Sequence, residues 1–337
     1  MARERTVVKG IVLRSVDTKE SDKILTVLTD AGKIPVTAKG ARGRKSRVTA
    51  CTQLLAYSEL TLNESCGWQY LGEGATIELF DGVRRDIELL SLASYFAELT
   101  EAVAMEEGEY GGILSLLLNA LYALGKLKKP QRLVKAAFEL KLMALSGFEP
   151  LADGCAYCGR PEPESPALDV RNGVVCCQRC GRGGNGLTMP LTGGALAAMQ
   201  RVLYGDPKRL YSFTLAEADL KRLGDASEAY VHTTLERGFK TLDFYKSLFN
   251  ISACSDWRDR FFVLQGKKPQ QSISCNDPIE GSCTIILHRR SMRLLQNPDG
   301  LQGFLTQSGR KICRQGGRGE MLNRLLAEYQ YEQKHHL

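Results

Sequence analysis

The chain has 337 residues, of which 43% are apolar and 25% charged, with a formal net charge of +7. This length allows two or three domains, and the composition is that of a soluble globular protein. The N-terminal residues lack the apolar segment of a secretory signal, and the longest apolar stretch, around Ile113 to Leu124, is too short to span a bilayer. We therefore expect a cytoplasmic protein with no membrane partner, in a compartment where cysteines bind metals more often than they form disulfides.

The positive charge is concentrated at the two ends of the chain. Residues 1–50 contain 12 Lys and Arg against 5 Asp and Glu, whereas residues 51–250 contain 20 against 25 and residues 251–337 contain 13 against 8. A local positive excess of this kind is typical of a surface that binds phosphate groups. The first fifty residues are therefore predicted to form a basic module.

The segment from Thr6 to about Phe80 has the pattern of short strands rich in Val, Ile, Leu and Thr. The predicted strands are Thr6–Leu13, Lys23–Thr29, Lys33–Ala38, Leu54–Asn63 and Ala75–Phe80. Gly72 and Gly74 are interpreted as bends or turns. Five strands in about 75 residues favour an oligonucleotide-binding (OB) barrel, although an SH3-like barrel has a similar pattern. Residues 1–81 are thus predicted to be an OB-fold, nucleic-acid-binding β-barrel.

After residue 82 the apolar residues recur at three- and four-residue spacing, which indicates helices. The predicted helices are Glu88–Glu107, Gly112–Leu127, Gln131–Ser146, Gly193–Tyr204 and Leu215–Phe249. Pro130 and Gly147 flank the third helix in the positions that favour its start and its end. Residues 82–250 are therefore predicted to form a helical domain, which makes the fold class α+β.

Two cysteine pairs, Cys155/Cys158 and Cys177/Cys180, interrupt this helical region. Each pair is followed by glycine, and two residues within a pair with roughly 15–20 between pairs is the usual spacing of a four-cysteine zinc site. Between the pairs, Asn172-Gly173 predicts a hairpin with a type I′ turn. We predict a zinc module at residues 154–186, in which the metal is structural because four thiolates leave no position for water.

Cys176 adds a fifth thiol for four tetrahedral positions, and a Cys176/Cys180 pair would also reach the metal. Adjacent residues of a strand point to opposite faces, and Cys177 reproduces the spacing of the first pair, so we favour Cys177 as the third ligand. Cys176 is interpreted as a small buried hydrophobe or a spare thiol. The alternative for the whole cluster is a set of ordinary reduced cysteines or two disulfides.

The strongest nucleic-acid signal is the segment Lys39–Arg47, with five cations among nine residues. Its glycines are expected to keep the backbone mobile, so that the loop can follow a phosphate backbone, and a solvated loop without a partner is the alternative. Tyr57, Trp68 and Tyr70 could stack bases, but each is interpreted as barrel core or rim packing. Binding is therefore expected to depend on charge more than on stacking. The predicted contacts are Arg14, Lys39, Arg42, Arg44, Lys45 and Arg47.

The sequence contains no recognisable catalytic constellation. It has no P-loop, no Gly-x-Ser-x-Gly elbow and no His-Glu-x-x-His pair, and its four histidines form no acid–base set. We expect that the protein is not an enzyme. A zinc hydrolase or nuclease is disfavoured because no set of carboxylates and histidines accompanies the cysteines.

The motifs of this chain follow a recognisable order. The first are Gly10–Arg14, Glu20–Leu25, Gly32-Lys33 and Ala38–Arg42; the predicted helices come next, and the two cysteine pairs follow. In this order the chain resembles the bacterial RecO family of recombination mediators over about residues 1–249. The resemblance implies an OB fold, a helical domain with a zinc site, binding to single- and double-stranded DNA, and annealing of complementary strands. It also implies cooperation with RecR to load RecA onto strands coated by single-stranded DNA-binding protein, in the cytoplasm at the nucleoid.

On this resemblance the metal ligands are Cys155, Cys158, Cys177 and Cys180, and the loop Lys39 to Arg47 corresponds to the DNA-facing barrel surface. Residues 251–337 have no counterpart in the family. They are expected to be a poorly ordered extension, either a lineage-specific appendage or the product of a displaced stop codon. The alternative function is an OB-fold RNA-binding or translation-associated module with a structural zinc site.

Overall fold

The first five strands of the protein close into a barrel. The computed structural model describes residues 5–44, 46–181 and 187–253, so the predicted extension at 251–337 lies outside them except for its first three residues. The strands are β1 (Arg5–Thr18), β2 (Asp22–Thr29), β3 (Gly32–Ala38), β4 (Tyr57–Ser65) and β5 (Trp68–Glu78). They run in the order β1-β2-β3-β5-β4, with β3 and β5 parallel and the other pairs antiparallel. The predicted OB-like barrel is confirmed.

Alternating burial along the strands forms the interior of the barrel. Leu25 and Val27 of β2 are buried, whereas the intervening Thr26 is only half-buried. Ala41 and Cys51, from the connection between β3 and β4, are buried in the same cluster. This connection therefore packs against the barrel.

The sequence pattern predicts a fifth strand at Ala75–Phe80, but β5 begins at Trp68. Gly72 and Gly74 lie within β5, where a β-carbon at Gly72 would meet the side chain of Asn63 at 2.5 Å and one at Gly74 would collide with Sγ of Cys51. These glycines are thus required by close packing, and Gly72 also lies where the register between β4 and β5 shifts. The interpretation of Gly74 as a turn residue is wrong.

The remaining elements are mainly helices, as predicted. They are α1 (Asp81–Arg84), α2 (Ile87–Val103), α3 (Gly111–Gly125), α4 (Gln131–Leu145), β6 (Ala167–Asp169), β7 (Val174–Cys176), α5 (Gln178–Gly181), β8 (Thr188–Pro190), α6 (Gly193–Tyr204), α7 (Glu217–Leu235) and α8 (Lys240–Ala253). Helix α4 packs against α3, α6 and α7, and α2 packs against α8. Of the described helices, none combines the length and the apolar composition that a membrane span requires.

The predicted single helix at Leu215–Phe249 is wrong, because the structure has two helices there. Glu236 adopts the left-handed conformation with φ 48° and ends α7. The buried ring of Phe239 then packs edge-on against Tyr95 of α2, with centroids 5.6 Å apart. These contacts turn α8 back onto α2, and Gly238 is the sequence signal for the break.

A buried ion-pair network joins the helices. Lys135 of α4 lies 2.7 Å from the Glu139 carboxylate and 3.0 Å from that of Glu228 in α7. Glu139 is fully buried and also accepts hydrogen bonds from the hydroxyls of Tyr95 (2.7 Å) and Ser227 (2.6 Å). Because a buried carboxylate is stable only with such partners, the network sets the relative positions of α2, α4 and α7.

We expect Lys135→Met to lower the free energy of unfolding by about 3–5 kcal/mol, because it leaves the Glu139 carboxylate buried without its counter-ion. Chemical denaturation of the full chain measures this change. Lys221→Met is the matched control: Lys221 pairs with Asp225 at the same i,i+4 spacing on an exposed face, so its loss should be under about 1 kcal/mol. Equal destabilisation of the two variants would contradict the stabilising role assigned to the buried ion pair between Lys135 and Glu139.

Candidate metal centre and nucleic-acid interface

The first cysteine pair lies in a tight loop after α4. The Cys155 N–H donates to the Arg160 carbonyl, and the Gly159 N–H donates to the Cys155 carbonyl, both at 2.8 Å. Gly159 has φ +69°, in the left-handed region that glycine adopts without steric cost. The loop therefore directs the thiols of Cys155 and Cys158 towards one point.

Strands β6 and β7 form the predicted hairpin, with β8 on the other side of β6. The predicted type I′ turn is wrong, because the connection has four residues, 170–173, of which only Gly173 has positive φ (65°). The buried carboxylate of Asp169 accepts hydrogen bonds from the backbone N–H groups of Arg171 and Asn172, both at 3.1 Å. This Asx-type capture of the backbone stabilises the longer turn.

The hairpin and α5 bring the second cysteine pair to the first. The four Sγ atoms of Cys155, Cys158, Cys177 and Cys180 lie within 4.8 Å of one another. The Cys158 and Cys177 sulfurs are 4.0 Å apart, whereas a disulfide requires about 2.05 Å. The cluster could therefore hold a metal ion, and it contains no disulfide.

The ionisation of these thiols is unequal. Burial raises the pKa of the Cys155 thiol, but hydrogen bonds from the backbone N–H groups of Cys177, Cys158 and Tyr157 outweigh it and lower the pKa to about 6. The hydrogen bond between the Cys180 and Cys177 thiols, together with burial, raises the pKa of Cys180 to about 12. Thiolates already formed thus oppose ionisation of the last thiol, and a cation is needed to hold four thiolates together.

Cys176 lies outside this group of four. Its thiol donates to the Ala167 carbonyl at 3.5 Å, and burial raises its pKa. A β-carbon at Gly181 would lie 2.9 Å from its Sγ, so the thiol fills the space beside the glycine. The geometry favours Cys177 as the third ligand.

The predicted basic loop is exposed but anchored. Arg42, Arg44 and Arg47 are exposed in the connection between β3 and β4, and Lys45 lies outside the described residues. Arg42 lies 3.4 Å from the Asp17 carboxylate of β1. The Gly40 N–H also donates to the Asp22 carboxylate at 2.8 Å. These contacts tie Gly40 and Arg42, at the start of the loop, to the barrel.

Arg14 of β1 is paired with a carboxylate of the helical part. Its Nε lies 3.0 Å from the Glu101 carboxylate of α2. Lys33 of β3 donates to the Glu101 carbonyl at 3.1 Å. Both cations join the barrel to α2, which makes Arg14 a weaker candidate for a DNA contact than Arg44 or Arg47.

Trp68 and Tyr70, interpreted as barrel core or rim packing, differ in their exposure. Trp68 is exposed, and Tyr70 is half-buried with the Lys39 ammonium 4.5 Å from its ring centroid. Tyr57, in contrast, packs against the main core as expected. Trp68 and Tyr70 lie in the first part of β5, where the sequence pattern predicted no strand.

Comparison with known proteins identifies the family. The family model for the N terminal of recombination protein O matches residues 1–80, and that for its C terminal matches residues 84–243. The DNA repair protein RecO of Acetivibrio thermocellus is 32% identical over 243 residues, and that of Symbiobacterium thermophilum is 31% identical over 246 residues. Each alignment covers 72% of this chain and 96% of the relative. The chain belongs to the RecO family.

The predicted resemblance to RecO is therefore confirmed. A further relative, the DNA repair protein RecO of Halalkalibacterium halodurans, is 34% identical over 173 residues, which cover 51% of this chain and 67% of the relative. The two RecO family matches meet between residues 80 and 84, where β5 has ended and α1 lies. The cysteine cluster lies within the C-terminal RecO match.

We expect Cys177→Ser to lower the amount of divalent metal bound per chain, because it removes one of four clustered sulfurs. Cys176→Ser, which removes the neighbouring thiol outside the cluster, should leave the metal content unchanged. Metal released on denaturation can be measured with a chromogenic chelator. Equal losses from the two variants would contradict the choice of Cys177.

Proposed function

We propose that this member of the RecO family binds single- and double-stranded DNA and anneals complementary strands as a mediator of recombinational repair. The observation that carries the proposal is the exposed basic connection between β3 and β4 on an OB-like barrel. Among the described residues, no carboxylate pairs with the Arg44 or Arg47 side chain. Barrels of this kind bind nucleic acids through charged grooves and loops. Family membership favours DNA repair over the RNA-binding or translation-associated alternative.

The mechanism that fits these residues is electrostatic. Two complementary strands repel each other through their phosphates, and cations that neutralise phosphates on both strands lower this repulsion and release counter-ions. Arg44 and Arg47 make no ion pair with the described carboxylates and can contact phosphates, whereas Arg42 is partly neutralised by Asp17. Base pairing then proceeds without any covalent step. A protein that acts in this way needs no catalytic residue, so we propose that it is not an enzyme.

We infer that the metal is Zn²⁺ with a structural role. Four cysteine sulfurs form the donor set that is typical of structural zinc. A tetrahedron with Zn–S bonds of about 2.3 Å has edges of about 3.8 Å, close to the 4.0 Å between the Cys158 and Cys177 sulfurs. With four thiolates bound, zinc has no position for a reactive water, which argues against the zinc hydrolase or nuclease alternative.

We also propose the partners and the organisation that the family implies. RecR, single-stranded DNA-binding protein and, indirectly, RecA are the protein partners, and family membership is what supports them. In this proposal residues 1–81 contact DNA, and residues 82–250 carry the zinc module at 154–186. Binding to the chromosome would place the protein at the nucleoid in the cytoplasm. Residues 182–186 of the module lie outside the described residues.

The double substitution Arg44→Glu with Arg47→Glu should weaken binding to single-stranded DNA. It should also reduce the slope of log affinity against log salt by about 0.7 for each phosphate that the protein no longer neutralises. Fluorescence anisotropy across a salt series measures both quantities, and a strand-annealing assay should show a parallel decrease.

The matched control is Lys208→Glu with Arg209→Glu, which makes the same change in net charge on exposed residues between α6 and α7. Its affinity should stay close to that of the unmodified chain. Equal effects of the two double variants would show that net charge, and not the loop, determines binding. A matched RNA oligonucleotide tests the alternative, because an RNA-binding module would prefer the strand with 2′-hydroxyl groups.

Cys158→Ser should lower the melting temperature by about 5 °C or more, because metal binding contributes to the folding free energy of a small module. DNA affinity measured well below the melting temperature should not change, because the thiols lie in the helical part and the loop arginines on the barrel. Chelation of the metal should have the same effect as the substitution. Loss of DNA affinity with unchanged melting would contradict a structural role.

A further inference from the structure

The outer face of the barrel carries a row of side chains that the core does not use. Val16 of β1 pairs with Ile24 of β2. Ile24 also pairs with Thr37 of β3, which in turn pairs with Tyr70 of β5. Directly paired residues point to the same face of a sheet, and Val16 and Ile24 are 47% and 45% exposed. The row therefore presents the apolar side chains of Val16 and Ile24 to solvent and continues through the half-buried Thr37 and Tyr70.

Two aromatic rings lie at the β5 end of this row. Trp68 precedes Tyr70 by two residues on β5, so both side chains point to the same face. Trp68 is 59% exposed. Two residues of a strand span about 6.6 Å, which is roughly twice the 3.4 Å separation of stacked bases in a duplex. The spacing fits two bases of an extended single strand that are unstacked from each other.

Lys39 connects this face to the basic loop. It is the first residue after β3, and its ammonium lies over the Tyr70 ring at 4.5 Å from the centroid. Arg42 and Arg44 follow within the same connection. A base that stacks on Tyr70 can replace the ammonium, which is then free to contact the adjacent phosphate. The apolar rings and the neighbouring cations thus match a ligand with apolar faces and an anionic backbone.

Two carboxylates near the basic loop already have partners. Asp17 is paired with Arg42, and Asp22 accepts the Gly40 N–H at 2.8 Å. Both carboxylates are therefore used in holding the loop against the barrel. Lys39 makes no ion pair with a carboxylate in the part of the chain that the structure describes.

We propose that Trp68 and Tyr70 form a base-stacking site for single-stranded DNA, with Lys39 as the phosphate contact beside it. The inference rests on the proposed function, since it takes DNA as the ligand. It adds a physical reason why the protein would bind a single strand differently from a duplex. Stacking uses the faces of the bases and leaves their pairing edges free, so a strand held here can still pair with its complement. A duplex contacts the loop cations, but the two rings add no affinity for it, because its bases are already stacked on each other.

The test is the full chain with Trp68→Ala and Tyr70→Ala, compared with the unmodified chain on an oligothymidine strand and on a duplex. The affinity for the single strand should fall by about 10-fold or more, with the salt slope unchanged because the cations that face the phosphates remain. Duplex affinity should not change. Tyr122→Ala is the matched control, since Tyr122 is an aromatic side chain of α3 that is 51% exposed, and it should bind like the unmodified chain.

Tryptophan emission gives an independent measurement. The chain has two tryptophans, Trp68 and Trp257, so the substitution Trp257→Phe leaves Trp68 as the single reporter. Trp257 lies outside the described residues. Saturation with single-stranded DNA should quench the Trp68 emission, whereas duplex should not. Unchanged single-strand affinity of the double variant, or unquenched Trp68 at saturation, overturns the stacking site alone. No DNA binding by the unmodified chain overturns the proposed function as well.

Discussion

The hydrophobic core that the barrel shares with the helices is the constraint on which the rest of the structure depends. Ile11, Leu13 and Leu28 of the barrel are buried in the same cluster as the apolar faces of α2, α3 and α4. Burial of this apolar area supplies most of the stabilisation. Arg84 of α1 adds specificity at the junction, because its guanidinium donates to the Leu54 carbonyl at the end of the basic connection. The barrel surface is thereby held in position by the helical part.

In the function proposed for this chain, the barrel surface combines two kinds of recognition with different physical consequences. Exposed cations in the β3–β4 connection attract any phosphate backbone, and their contribution weakens as salt is added. Aromatic rings such as Trp68 favour bases that are free to unstack, and this contribution depends little on salt. A mediator that must bind single strands and then let them pair benefits from both, because neither interaction blocks the pairing edges of the bases.

The cysteine cluster serves the fold in a different way. Strands β6, β7 and β8 have three residues each, and so short a sheet has little stability of its own. In the proposed structural role, a metal held by the four sulfurs would supply the stability that the sheet lacks. The hairpin also contacts α7, where a β-carbon at Gly173 would lie 2.9 Å from the Tyr230 hydroxyl. Glycine is thus required there both by its positive φ and by the approach of Tyr230.

Local patterns in the sequence were enough to predict the barrel, most of the helices, the cysteine cluster and the basic loop. These predictions depend only on neighbouring residues. The signals are the two-residue spacing within the cysteine pairs, the three- and four-residue apolar spacing in α3, and the density of cations after β3. Long-range contacts decided the rest. The packing of Asn63 and Cys51 against Gly72 and Gly74 of β5 brings together residues that are distant in the sequence. The role of Arg14 depends on Glu101 of α2, 87 positions away, and the exposure of Trp68 depends on which face of β5 the barrel leaves uncovered. A sequence pattern records the period of a strand, but only the tertiary structure determines which of its faces meets solvent and which partner each charge finds.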